Sequence, residues 1–154
     1  MSLYFGGMGN YWDIVEPFWE VINIYDGPEV FRQTYDSVPT LSGLVYAAHF
    51  CQSEVSNGGF HQFFWNSTGV LAPEAVDGFR AIGQPQIAAL VQSAMSLLGT
   101  PYPRDRAERQ AHLQKVSKGD LDGLDEKFYA LIDSEGGGFE AAADAYVKSK
   151  GQTP

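Results

Sequence analysis

Cysteine is nearly absent from this 154-residue chain, where Cys51 stands alone. A single thiol has no internal partner, so the fold must hold together without disulfides, as suits a reducing cytoplasm. No apolar run approaches the roughly 20 residues of a membrane span, and no basic-then-apolar leader opens the chain. Positive charge is scarce too: ten Lys and Arg face nineteen Asp and Glu, for a net charge of -9 and a pI near 4.6. That balance argues against direct nucleic-acid binding, which needs a basic surface, and against anionic membranes. The three histidines never take the i, i+4 spacing of a zinc helix. No segment alternates with period two over a strand's length, and no internal repeat is present.

What remains is an ordinary globular composition, 44% hydrophobic, 14% aromatic and 19% charged, at a length that fits one domain with a real core. Its apolar residues recur at helical spacing. Trp12, Val15, Trp19 and Ile22 are interrupted by Pro17, which predicts a kink or two short helices. Asp26 or Gly27 caps a helix opened by Pro28 and ending near Tyr35. Thr40 is expected to cap the next, with Leu41, Leu44, Val45, Ala48, Gln52 and Val55 on one stripe and Ala47, Phe50 and Cys51 making other faces apolar. A helix apolar on most sides is central. Pro73 opens another helix, with Val76, Phe79 and Ile82 inward, and Gly83-Gln84-Pro85 breaks it. Ile87, Leu90, Val91, Ala94, Met95 and Leu98 make the cleanest stripe. Asp105 and Glu108 stand at capping-box spacing and begin a weakly apolar surface helix. Leu121, Leu124, Phe128, Leu131 and Ile132 form a further helix, stopped by Gly136-Gly137-Gly138, and Phe139 to Val147 form the last. The expectation is an all-α single compact domain of about eight to nine short helices around a central buried helix. It spans residues 10–150, with residues 1–9 outside the fold (Met8 an alternative start) and 151–154 as a tail.

The densest stretch runs from Glu54 to Gly69, where Asn57-Gly58-Gly59 stops the central helix and Phe60 to Asn66 supply a short second one. Paired glycines point to a turn with positive φ, and Phe60, Phe63 and Phe64 are expected in the core. Two roles suit the polar residues. In the architectural one, Asn57 and the glycines end a helix while Gln62 and Asn66 satisfy buried backbone groups. In the functional one, Glu54, Asn57, His61 and Gln62 face a small-molecule ligand. Catalysis has little support: His49 and Cys51, two apart, point to different helix faces. No Asp or Ser is placed to orient His61, and Gly58-Gly59 lacks the lysine and spacing of a phosphate loop. No cofactor, metal or catalytic residue is expected.

The pattern Glu54-Val55-x-Asn57-Gly58-Gly59-Phe60-x-Gln62-Phe63-Phe64-x-Asn66-x-x-Gly69, with Ala75, Ile82-Gly83 and Pro103-Arg104-Asp105-Arg106, resembles a bacterial family of unknown function. Its best-known member is an acidic DNA-mimic protein. The resemblance covers roughly residues 10–150. It implies an all-helical fold and, by analogy with that member, a homodimer that occupies the DNA-binding surface of a transcription factor.

Charge distribution bears on that implication. Asp13, Glu16, Glu20, Asp26, Glu29 and Asp36 face only Arg32 in residues 1–36. In residues 120–144, Asp120, Asp122, Asp125, Glu126, Asp133, Glu135, Glu140 and Asp144 face only Lys127. Between them, Arg104, Arg106, Arg109, Lys115 and Lys118 outnumber Asp105 and Glu108. Such faces aid solubility or bind a partner. The expected function is a cytoplasmic protein-interaction domain whose partner is a protein, in the sharpest version a DNA-binding protein. The eight carboxylates of residues 120–144 are the candidate contacts, and small-molecule binding or catalysis at Asn57–Asn66 is the alternative.

Overall fold

The computed structural model describes residues 10–151, so the expectations for residues 1–9 and for most of the tail lie outside the described residues. Proline opens three of the eight α-helices among the described residues. Residues Trp12–Val15 form α1, and Pro17 turns the chain into a 3-10 turn over Glu16–Phe18. Gly27, at φ 97°, precedes α2 (Pro28–Asp36), whose first position suits a proline because that N–H has no intrahelical acceptor. Helix α3 (Thr40–Trp65) leads into a 3-10 turn, Ser67–Leu71, then α4 (Ala72–Ala81) and α5 (Pro85–Leu97). Helices α6 (Arg106–Leu113), α7 (Lys118–Ile132) and α8 (Phe139–Ser149) complete the chain, with a 3-10 turn over Glu135–Gly137. The described residues form one compact all-helical domain without strands.

Helix α3 is the axis. Val45, Ala47, Ala48, Cys51 and Val55 along it have no solvent exposure, and α4, α7 and α6 pack around it. Phe60, Phe63 and Phe64 are likewise fully buried, ringed by Phe128 and Tyr102. The expected stop at Asn57-Gly58-Gly59 is present: α3 is two helical segments joined at a kink, where Gly58 (φ -150°, ψ 21°) and Gly59 (φ 76°, ψ 178°) leave helical angles. The positive φ therefore falls on Gly59 alone. The second segment starts anew at Phe60, whose N–H donates to Asp125 Oδ1 rather than to a preceding turn, and its three phenylalanines continue the buried face.

One capping assignment differs. Thr40 is the first helical residue and makes no capping bond; Pro39 occupies the cap position. Asp105 does cap α6, accepting from the Glu108 N–H at 3.1 Å. Three other helix starts are capped from far along the chain, and these caps bear on function.

Candidate functional site

The polar residues of the motif converge on one carboxylate. Glu54, half-buried on α3, accepts from Gln62 Nε2 at 2.6 Å through Oε2. Its Oε1 accepts from Asn66 Nδ2 at 3.1 Å and from Thr68 Oγ1 at 2.7 Å. Asn57 Nδ2 donates to Gln62 Oε1 at 3.1 Å, closing the network at the exposed end. The kink makes this possible: it brings Gln62 and Asn66, from the segment after Gly59, back beside Glu54 from the segment before it. The amides thus satisfy a carboxylate rather than the backbone groups the architectural reading assigned them. Thr68, eclipsed in the sequence by the aromatics before it, supplies the shortest hydrogen bond to Oε1.

His61 stands outside the network. It is exposed and stacks on Trp65, ring centroids 5.8 Å apart and planes 12° apart. The depression beside the motif, about 480 Å³, is shallow and open, lined by Gln52, Ser53, Glu54, Ser56 and Asn57. Neither His61 nor Gln62 lines it. Cys51 is fully buried, and burial, with the Glu54 charge second, pushes its thiol well up, so it is held protonated. His49 Nδ1 lies 2.8 Å from the Tyr11 hydroxyl, and burial lowers its pKa to about 4, leaving a neutral ring near neutrality.

The second stretch that carries the family resemblance docks on the first. Arg109, fully buried, donates Nε to Phe64 O at 2.7 Å, one terminal nitrogen to Asn66 O at 2.8 Å and the other to Arg104 O at 2.7 Å. Arg106 Nε and Gln110 Nε2 each donate to Trp65 O at 3.0 Å. The last carbonyls of α3, which have no intrahelical donor and sit at the negative end of its dipole, are thus met by two guanidinium groups. Burial pulls the Arg109 pKa down, and its three carbonyl acceptors compensate the desolvation. Arg104 forms a forked pair with Glu74, 2.9 Å for each bond, and reaches Val70 O at 3.0 Å. Reading residues 104–118 as a basic surface island missed that Arg109 lies inside. Its one sequence signal is position: it precedes the buried Leu113 by four residues, hence on the same helix face.

The acidic residues 120–144 divide into two groups. Asp125 Oδ1 accepts from the Phe60 N–H at 2.7 Å, just past the kink, and Tyr129 of the same helix donates to Val55 O at 3.1 Å. Glu135 accepts from the Gln86 and Ile87 N–H groups, 2.7 and 2.9 Å, at the start of α5. Asp144 accepts from the Tyr11 N–H at 2.7 Å, at the start of α1. Each carboxylate thus sits where unpaired N–H groups and the dipole favour an anion. Burial raises the pKa of Asp125, against the lowering effect of the Phe60 bond. In the other group, Asp122 pairs with Lys118 at 2.8 Å on the surface, and Asp120, Glu126, Asp133 and Glu140 are exposed. Among the described residues only three ion pairs form between carboxylates and Lys or Arg.

Among the described residues, no helix is long and apolar enough to cross a membrane. Neither the curated proteins nor the solved structures compared with the chain include a match. A family model described as DMP19-like protein matches residues 36–150, spanning α3 to α8 and both stretches just described, and the chain therefore belongs to the DMP19-like protein family.

Proposed function

We propose that the protein is a bacterial, cytoplasmic protein-interaction domain whose acidic α7–α8 surface binds a basic, DNA-binding protein in competition with DNA, and that it acts as a homodimer. The observation that carries this reading is the set of exposed carboxylates, Asp120, Glu126, Asp133 and Glu140, that no lysine or arginine neutralises. A protein that substitutes for a duplex must present anions where the duplex presents phosphates, and leave them free for the partner's cations. Asp122 adds a carboxylate at the surface, half offset by Lys118. Asp125, Glu135 and Asp144 add charge from positions fixed by their backbone bonds. Membership of the family supports the same reading, since the resemblance drawn from the motif is to a family with a DNA-mimic member. Isologous dimers are the commonest oligomers.

Small-molecule binding at the motif finds less support, because the Glu54 oxygens are already engaged by three donors of the same chain. The test is capture of a binding protein from lysate of the source cell at low and high salt, followed by competition with duplex DNA. The expected result is a DNA-binding protein whose association weakens steeply with salt and is displaced by DNA. A partner that holds this protein and DNA together would exclude mimicry. Light scattering at micromolar concentration is expected to give twice the chain mass.

A further inference from the structure

A second face, built on different residues, has the chemistry of a peptide-docking surface. Among the described residues only five large hydrophobic side chains are exposed, and Trp19, Val21 and Tyr25 (43%, 44% and 76% exposed) are three of them, within seven residues of chain. They are not on a loose loop. Trp19 packs edge-on against Trp12 at 5.1 Å and Phe50 at 5.0 Å, and Phe50 packs on Tyr46 at 4.7 Å. The turn between Trp19 and Tyr25 is pinned by Asn23, whose Oδ1 accepts from the Tyr25 and Asp26 N–H groups at 2.8 and 3.1 Å, and whose own N–H donates to Thr34 Oγ1 at 2.9 Å. The packing that holds Trp19 and the pinned turn that carries Tyr25 therefore preorganise this segment, which lowers the ordering cost of binding.

The flanking charge selects the occupant. Glu16 and Glu20 stand beside Trp19 in the chain and Asp26 and Glu29 beside Tyr25; all four are exposed, and none meets a cation among the described residues. Aromatic faces among uncompensated carboxylates repel a polyanion and another copy of the same acidic face alike. They match a cation that stacks on rings and forks onto carboxylates, which describes arginine better than lysine. We infer that the face formed by Trp19, Val21 and Tyr25 docks an arginine-rich peptide segment of a partner protein. Its exposed rings lie before residue 36, outside the span that carries the family match, and the inference does not depend on the α7–α8 surface.

The test titrates the full chain with a nona-arginine peptide and a nona-lysine peptide, reading affinity by calorimetry and location by the Trp19 indole and Tyr25 ring NMR signals. Arginine is expected to bind at least about fivefold more tightly than lysine and to shift those signals, as stacking requires. Y25S combined with E20Q, both at exposed positions, should weaken the arginine peptide about fivefold or more with an unchanged circular dichroism spectrum. E126Q combined with D133N should change it by less than about twofold. Equal affinity for the two peptides, or loss on neutralising α7 rather than this face, would overturn the inference. So would a dimer that Y25S and E20Q convert to monomer, because the occupant would then be a second copy. DNA competition plays no part in these readouts, so their failure is separable from failure of the mimicry reading.

Discussion

Glu54 and Glu126 are the same side chain on two helices of one domain, and their surroundings differ in every respect. Around Glu54 the polar groups are matched: two amides and a hydroxyl donate to its carboxylate, a third amide closes the network, and Arg109 seals the helix end nearby. Glu126 is exposed, with no cation against it among the described residues. The matching of donors to the Glu54 carboxylate is explained by folding alone, since a half-satisfied polar network is worse than none. Nothing in folding requires the second. A distinctive motif can therefore identify a family while the activity resides on surfaces the motif does not touch.

The strongest way to break that comparison is to show that the motif region is dispensable for folding. Phe63→Ala, at a position with no exposure, is expected to cost about 3–5 kcal/mol, from lost burial and the cavity left behind. Urea denaturation giving a loss below about 1 kcal/mol would mean the ring does not anchor the kinked helix.

Acid provides the next largest effect, in the part of the core that joins α1 to α3. His49 is held neutral by burial, its pKa lowered to about 4 from 6.5, with the Tyr11 hydroxyl at its Nδ1. Below pH 6.5 the unfolded chain binds a proton there that the folded chain refuses. Its contribution is therefore fully present above pH 6.5 and lost progressively as pH falls toward 4, in total about 3 kcal/mol. Denaturation midpoints across that range, compared with His49→Gln, should show a slope that the variant lacks.

Gly59→Ala tests the kink itself. With φ at 76° a side chain is strained, and an added Cβ would press on the Asp125 carboxylate that holds the Phe60 N–H. The expected loss is about 2 kcal/mol. Gly123, which has open space where a Cβ would go, supplies the control: alanine there should be neutral or stabilising within about 1 kcal/mol, since it sits inside α7.

The sequence made local features legible and remote ones not. Pro28, Pro73 and Pro85 mark helix starts because their fixed φ and missing N–H act within one turn, and Asp105 caps a helix three residues on. The burial of Phe60, Phe63 and Phe64 followed from apolar spacing, and the kink from the glycine pair. Asp125, Glu135 and Asp144 looked like their acidic neighbours, because the N–H groups they meet lie 65, 49 and 133 residues away. Only the packed fold separates them from the four that remain free. Arg109 was hidden for the same reason: its partners are carbonyls, which every residue carries and no pattern advertises.

The smallest expected effect on stability is the most informative for function. E126Q with D133N removes two charges from exposed positions that have no cation partner, so unfolding free energy should stay within about 0.5 kcal/mol of the unmodified chain. The same chemistry at E54Q turns one oxygen into a donor facing other donors, and should cost about 1–3 kcal/mol. Chemical denaturation of the two variants side by side measures the difference between the two environments directly. If the paired surface variant also loses affinity for the captured DNA-binding protein, and loses the steep salt dependence with it, then the charge that folding leaves unused is the charge that binding uses. Unchanged affinity would move the contact away from α7 while leaving the stability contrast intact.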